Sequence, residues 1–122
     1  MLHQELAQVL LSLCMELSLA TCPALVESDA IMTKYAPNAV MMYTVVVNKE
    51  TQVKSNRIYY SKSSLKGVSK HFRKSTLVHE LAHHTLYAEK GIETGRHQGV
   101  WKSECKRLIR GTQNTLVSAC HS

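Results

Sequence analysis

The sequence predicts a single α+β domain that spans residues 1–122. A helical apolar pattern opens the chain, two strand-like runs follow it, and two further helical patterns come after the strands. Hydrophobic residues make up 44% and charged residues 20% of the chain, which is usual for a globular protein and excludes a disordered one. A domain of this length buries about two-thirds of its unfolded surface, so one core suffices.

An amphipathic helix is predicted over residues 2–20. Its apolar side chains recur at helical spacing: Leu6, Val9, Leu10, Leu13, Cys14 and Leu17. No Lys or Arg precedes this run, and Glu5 and Glu16 interrupt it, so we do not expect a signal peptide. No stretch of the chain approaches the roughly eighteen apolar residues of a membrane span. We therefore expect no contact with a membrane.

The middle of the chain predicts a β-hairpin, or a small antiparallel sheet. Residues 21–38 contain prolines and are expected to form a connection, with a short helix at 26–35. Residues 40–47 and 53–60 are rich in β-branched and aromatic side chains, which is typical of strands, and a polar turn separates them. Residues 61–75 are polar and basic and lead into the next helix.

The second half of the chain predicts two helices and a short tail. The first helix ends near Gly91, and the second runs from about Gln98 to Arg110, where Gly111 stops it. Trp101 is expected to lie in the core and to fix the second of these helices. Residues 115–120 are expected to add a short strand or a helical turn.

Four cysteines are scattered through the sequence without a Cys-x-x-Cys pair, which excludes a zinc ribbon or a redox motif of that type. They are Cys14, Cys22, Cys105 and Cys120. We expect thiols in a reducing compartment, and therefore an intracellular protein, cytoplasmic or, in a eukaryote, nuclear.

The run His79-Glu80-Leu81-Ala82-His83 lies on the first of the two C-terminal helices. Residues four apart share one face of a helix with their Cβ atoms about 6 Å apart, so His79 and His83 can bind one metal ion. Glu80 lies about 100° round the helix, close to that metal without having to bind it. The core face is expected to consist of Val78, Leu81, Ala82 and Thr85. His84, at about 140°, is expected to point away from the ligand pair, towards solvent or an outer position of the site.

A catalytic zinc usually takes three protein ligands and keeps a fourth position open, so a third ligand should follow. His97 is the candidate, because the residues after His83 allow the helix to end and the chain to turn back. A purely structural zinc is not expected, since such sites close with four ligands that usually include cysteine.

The segments His79-Glu80-Leu81-Ala82-His83 and His97-Gln98-Gly99-Val100-Trp101 together resemble the SprT-like metalloproteases, the group of the Spartan and Wss1 proteases of DNA–protein crosslink repair. The resemblance implies a small zincin-like (minigluzincin) domain, with Zn²⁺ bound by His79, His83 and His97 and with Glu80 as the general base. Many members of the family carry a C-terminal zinc ribbon, and this sequence contains none.

The implied reaction is the hydrolysis of a peptide bond in a protein substrate. Zinc lowers the pKa of its water towards 7, and Glu80 accepts the proton as that water attacks the carbonyl. Glu80 then returns the proton to the leaving amine. Tyr87, Tyr59, Tyr60 and Arg96 are weak candidates for the donor to the oxyanion, and none of them can be assigned.

The formal charge of +6 indicates an anionic partner or simply a solvated basic surface. DNA is the anion that the SprT-like resemblance implies. Nine basic residues flank the predicted site: Lys62, Lys66, Lys70, Arg73, Lys74, Lys102, Lys106, Arg107 and Arg110.

The sequence therefore predicts a zinc metalloendopeptidase that acts on proteins, including DNA-bound ones. Two alternatives stay open: a DNA-binding or regulatory module with a vestigial metal site, and a gluzincin-like peptidase with one specific partner and no role at DNA. The sequence does not predict an oligomeric state.

Overall fold

The computed structural model describes residues 1–92, 99–110 and 117–120, and within them it shows a small α+β fold. Among the described residues, two helices stand before or between the strands, and three follow them. The helices are α1 (Leu2–Glu16), α2 (Asp29–Tyr35), α3 (Lys62–Leu65), α4 (Lys70–Lys90) and α5 (Val100–Ile109). The strands are β1 (Ala24–Glu27), β2 (Met41–Val47) and β3 (Lys54–Tyr60), and a 3₁₀ helix covers Val117–Cys120. The α+β prediction is confirmed.

The sheet is mixed, with the strand order β1-β3-β2. β2 and β3 form the predicted antiparallel hairpin, in which Tyr43 pairs with Ile58. Its turn is fixed by Asn48, whose side-chain oxygen accepts hydrogen bonds from the backbone N–H groups of Glu50 and Thr51. β1 pairs with β3 in parallel, so the prediction of a connection there, and of a purely antiparallel sheet, is wrong.

The boundaries of α4 follow from side chains at both of its ends. Ser69 caps the first turn by accepting a hydrogen bond from the Phe72 N–H at 3.1 Å. Gly91 ends the helix with φ 67°, a left-handed conformation that favours glycine. Between these caps, α4 packs against α1, α5 and the sheet. The predicted core face is confirmed, because Val78, Leu81, Ala82 and Thr85 are all fully buried.

All four cysteines form disulfides, so the prediction of free thiols is wrong. Cys14 at the end of α1 pairs with Cys22, and Cys105 on α5 pairs with Cys120 in the 3₁₀ helix. Disulfides persist in oxidising compartments, so the cysteines no longer support an intracellular location, which stays a prediction. Among the described residues, no helix has the length and apolar character needed to cross a membrane.

A buried ion-pair cluster joins α4 to α5. The Glu104 carboxylate is 2% exposed and accepts hydrogen bonds from Thr85 Oγ1 at 2.5 Å and from Lys90 Nζ at 2.9 Å. Arg107 adds two more bonds, from Nε at 2.7 Å and from a terminal guanidinium nitrogen at 2.9 Å. These donors hold the pKa of Glu104 at about 2 against the opposing effect of burial, with Arg107 the largest cause.

We expect Glu104→Gln to lower the free energy of unfolding by about 2–3 kcal/mol at neutral pH, because it weakens charge-assisted hydrogen bonds in a buried position. The native pKa lies below the unfolded value of 4.5, so this contribution is present above pH 4.5 and lost as the pH falls towards 2. Urea unfolding at neutral pH and near pH 2 measures both effects.

The control for this prediction is Glu50→Gln, in which the same change is made at an exposed position of the hairpin turn. It should leave the unfolding free energy within about 0.5 kcal/mol of wild type. A Glu104→Gln protein as stable as wild type at neutral pH would contradict the role given to this cluster.

Candidate metal centre

The two motif histidines lie side by side on α4, as predicted from their spacing. The ring centroids of His79 and His83 are 5.6 Å apart. Trp101, fully buried at the start of α5, packs against both rings, with centroid distances of 4.6 Å to His79 and 5.5 Å to His83. The predicted core position of Trp101 is confirmed, and its indole restricts the directions in which both imidazoles can point.

A backbone carbonyl decides which nitrogen of His79 carries the proton. Nδ1 of His79 lies 3.1 Å from the carbonyl oxygen of Ala119. A carbonyl can only accept, so Nδ1 donates, and in the neutral ring the lone pair is on Nε2. Nε2 lies 3.8 Å from Oε2 of Glu80. The nitrogen that is predicted to bind the metal and the carboxylate therefore share one side of the helix.

Glu80 is 6% exposed and is held by the sheet. Its Oε1 accepts a hydrogen bond from the backbone N–H of Tyr43 on β2 at 2.9 Å. Burial raises the pKa of Glu80 to about 8, and the bond from Tyr43 opposes that rise. A carboxyl with a pKa this close to neutral can both accept and release a proton near physiological pH.

Tyr43 is fixed in turn by its own side chain. Its hydroxyl donates to Oδ1 of Asn56 at 2.7 Å and lies 3.3 Å from Nδ1 of His84. Desolvation by burial raises the pKa of Tyr43 to about 12, so the hydroxyl stays protonated. Tyr43 thus links the sheet to α4 through both its backbone and its side chain.

His84 does not face solvent, which corrects one of the two positions expected for it. The ring is completely buried, and its Nε2 lies 3.0 Å from Oγ1 and 3.1 Å from the backbone oxygen of Thr21. Burial lowers its pKa, so the neutral ring is favoured. Through the Tyr43 hydroxyl, His84 reaches the residue that holds Glu80.

The predicted third ligand, His97, lies outside the described residues, as does Arg96. Within the part of the chain that the structure describes, no group of three or more His, Cys, Asp or Glu side chains could hold a metal ion. The described segment resumes at Gly99, whose φ of 59° favours glycine, and Val100 begins α5. His79 thus fits one position of a zinc site by donor type and tautomer, and His83 fits a second by donor type. The assignment of His97 stays a prediction.

Two of the tyrosines considered as oxyanion donors are used elsewhere. The Tyr60 hydroxyl lies 2.8 Å from Nδ1 of His3, and the Tyr59 hydroxyl accepts from Arg57 at 3.0 Å. Both side chains are buried. Tyr87, half-buried on α4 with the Lys54 ammonium 5.4 Å from its ring centroid, is the remaining candidate among the described residues.

A model of the SprT-like family matches residues 19–121. The chain belongs to the SprT-like family. The matched range contains the paired histidines, Glu80 and His97, and it leaves out all of α1. Comparison with the curated proteins and with the solved structures found no match. The resemblance inferred from the two motif segments is confirmed, and a metallopeptidase-type function accompanies membership of the SprT-like family.

Sequence patterns did not identify two groups in the SprT-like site. The Tyr43 N–H and the Ala119 carbonyl are backbone atoms, so the identity of the side chain carries no signal for either. Arg107, predicted as part of a DNA-binding surface, is paired with Glu104, which it shares with Lys90, so its guanidinium is engaged within the fold. The spacing of Glu104 and Arg107, three residues apart on one helix, was the available signal for that pair.

In this SprT-like protein, we expect Glu80→Gln to become more stable than wild type as the pH rises, when measured with a metal chelator. The native pKa of Glu80 is raised above the unfolded value of 4.5, so its contribution is fully present below pH 4.5 and lost as the pH rises through about 8. Glutamine still accepts the bond from Tyr43 and does not ionise.

Urea unfolding at about pH 5 and about pH 9 tests this prediction. The unfolding free energy of Glu80→Gln minus that of wild type should grow by about 4 kcal/mol from the lower to the higher pH. Glu50→Gln, at an exposed position, is the control and should show no such growth. A difference in unfolding free energy between Glu80→Gln and wild type that does not change with pH would contradict the raised pKa of Glu80.

Proposed function

We propose that this SprT-like protein is a zinc-dependent metallopeptidase that hydrolyses peptide bonds in protein substrates. The observation that carries the proposal is the arrangement of His79, His83 and Glu80 on one side of α4. His79 presents Nε2 beside the Glu80 carboxylate, and His83 lies next to it. Membership of the SprT-like family supports the same function.

In the proposed site, His79 and His83 hold the zinc ion, with His97 as the third ligand. When bound, zinc supplies a Lewis acid that polarises a carbonyl and acidifies water. Glu80 accepts the proton of the attacking water and delivers it to the leaving amine. The Tyr43 N–H keeps Oε1 of Glu80 in place, so Oε2, on the side of His79, is the oxygen that exchanges the proton.

β2 offers an edge to which an extended substrate could add as a further strand. Asn48 donates to the Val53 carbonyl across the hairpin, so the even-numbered residues of β2 direct their backbone groups at β3. The backbone groups of Met41, Tyr43 and Val45 therefore point to the other side. Among the described strands, β2 pairs only with β3. We propose that a peptide pairs with this edge, next to the Glu80 that Tyr43 holds.

We also propose that DNA concentrates the substrate through the basic surface around α3 and the start of α4. Residues 61–75 contain five Lys or Arg side chains and no Asp or Glu. Lys62, Lys66 and Lys70 are exposed. Lys70 lines a groove with Glu5 and Glu16 of α1, whose carboxylates lower the positive potential around it. Lys62 and Lys66 are therefore the better phosphate contacts. This recruitment would suit a role in the repair of DNA–protein crosslinks.

For the catalytic proposal, we expect Glu80→Gln to keep about one zinc per chain while kcat on a labelled protein substrate falls by about 10²–10⁴-fold. His79→Ala, His83→Ala and His97→Ala should each reduce the zinc content. Elemental analysis and a proteolysis assay measure these outcomes. His71→Ala, at an exposed histidine on the same helix, is the control and should match wild type in both.

If zinc binds but wild-type protein cleaves no substrate, or Glu80→Gln cleaves as well as wild type, the alternative of a binding or regulatory module replaces the proposal. If the zinc content is indifferent to His97→Ala, the third-ligand assignment is wrong. Removal of zinc with a chelator should abolish cleavage, and restored zinc should recover it.

For the DNA proposal, we expect Lys62→Ala combined with Lys66→Ala to weaken DNA binding and to reduce the slope of log K against log salt by up to about 2 units. Fluorescence anisotropy across a salt series measures the slope. The control combines Lys34→Ala with Lys49→Ala, an equal charge change at exposed positions outside the segment. Equal slopes for the two double variants, or absence of binding by wild type, would favour the peptidase without a role at DNA.

A further inference from the structure

The 3₁₀ helix Val117–Cys120 supplies the hydrogen-bond acceptor of a motif histidine. It packs against α4 and α5, and its Ala119 carbonyl lies 3.1 Å from Nδ1 of His79. This bond selects the tautomer in which Nε2 carries the lone pair. Partners of this kind orient metal-binding histidines in proteins and strongly affect metal affinity. The C-terminal end of the described chain therefore acts on the proposed zinc site through His79.

A four-residue 3₁₀ helix contributes little stability of its own, because its hydrogen bonds are few and poorly aligned. A covalent bond holds this one: Cys120, next to Ala119, is paired with Cys105 of α5. Both cysteines are almost completely buried, with exposed fractions of 0% for Cys105 and 1% for Cys120. The disulfide limits how far the Ala119 carbonyl can move from His79.

The helix that carries Cys105 also carries Trp101, one turn earlier. Trp101 packs on the rings of His79 and His83, while the Cys105–Cys120 bond attaches the segment that binds Nδ1 of His79. α5 thus supplies a ring contact and, through the disulfide, a polar contact to the same imidazole. A change in the position of α5 relative to α4 would disturb both contacts together.

We infer that the Cys105–Cys120 disulfide is a positioning element of the metal centre, which holds the Ala119 carbonyl against His79 and so fixes its tautomer and direction. The consequence for zinc affinity rests on the proposed function. The consequence for the His79 tautomer does not require a metal ion.

The second disulfide provides a matched control. Cys14–Cys22 also lies next to a histidine partner, because Thr21 contacts Nε2 of His84. His84 is not a predicted ligand, and its ring is directed at Thr21 and Tyr43. Removing either disulfide deletes one cross-link and two sulfur atoms, but only one of the two bonds is attached to the segment that orients His79.

The first measurement compares Cys105→Ala combined with Cys120→Ala against Cys14→Ala combined with Cys22→Ala. Zinc affinity is read by competition with a chelator, using the fluorescence of Trp101, the single tryptophan, which touches both histidines. Loss of the Cys105–Cys120 bond should weaken zinc binding by about 10–100-fold. The control pair should bind zinc as wild type does. Equal weakening in both double variants would overturn the inference, since it would reflect general loss of stability.

The second measurement needs no zinc, and its first part uses wild-type protein alone. Long-range ¹H–¹⁵N spectra of zinc-free wild type assign the proton of each histidine ring, and His79 should carry it on Nδ1. A proton on Nε2 would overturn the inference. In the folded Cys105→Ala and Cys120→Ala double variant, His79 should show exchange between both tautomers, and an unchanged Nδ1–H form would also overturn it.

These two measurements separate the inference from the proposed function. Wild type that binds no zinc but shows the Nδ1–H form of His79 supports the positioning role and counts against the zinc peptidase. Zinc binding that survives loss of Cys105–Cys120 unchanged leaves the peptidase intact and removes the positioning role.

Discussion

A carboxylate on a buried face of a helix needs a hydrogen-bond donor, and here the donor comes from the edge of the sheet. The Tyr43 N–H bonds Glu80 Oε1 because the odd-numbered residues of β2 direct their backbone groups away from β3. A shift of one residue in the β2–β3 register would turn this N–H towards β3 and leave Glu80 without its donor. The geometry of the site therefore depends on the register of the hairpin.

The histidine and glutamate side chains of this part of α4 are oriented by other elements of the fold. Glu80 is held by β2, His84 by Tyr43 and by Thr21 before β1, and His79 by Trp101 and the Ala119 carbonyl. Helical spacing brings His79 and His83 together, but it does not decide where each ring points. That orientation comes from four segments that are distant in the sequence: Thr21, β2, the start of α5 and the 3₁₀ helix. The first and the last of these lie next to a disulfide cysteine.

The sequence was sufficient for the features that depend on local physics. The end of α4 at Gly91, the apolar stripe of Val78 and Leu81, and the hairpin are local or periodic signals, and they were predicted close to their observed positions. The Ser69 cap and the start of α4 at Lys70 were not predicted, because residues 61–75 were interpreted only as a polar, basic segment before the helix. β1 was missed because a four-residue strand after a proline has almost no pattern of its own and is stabilised by pairing with β3.

Other features depend on which segments meet in space. The disulfides could not be predicted, since four cysteines permit three connectivities and their spacing does not choose among them. The burial of His84 was missed for a related reason. A helical wheel assumes one covered face, whereas α4 is covered by α1, α5 and the sheet together. The third-ligand position, His97, lies outside the described residues, so the structure leaves the sequence-based assignment as a prediction.

The two buried carboxylates on α4 and α5 show how environment separates structural from chemical roles. Glu104 is met by Arg107, Lys90 and Thr85, which hold its pKa near 2, so it stays ionised and binds the two helices together. Glu80 is also buried, but it accepts one hydrogen bond from a backbone donor and, in the described structure, has no cation bonded to it. Its pKa therefore rises to about 8. A cation placed between His79 and His83 would supply the missing positive charge and lower that pKa. The low charge compensation of Glu80 is a cost to the metal-free fold, and a cation bound beside it would reduce that cost.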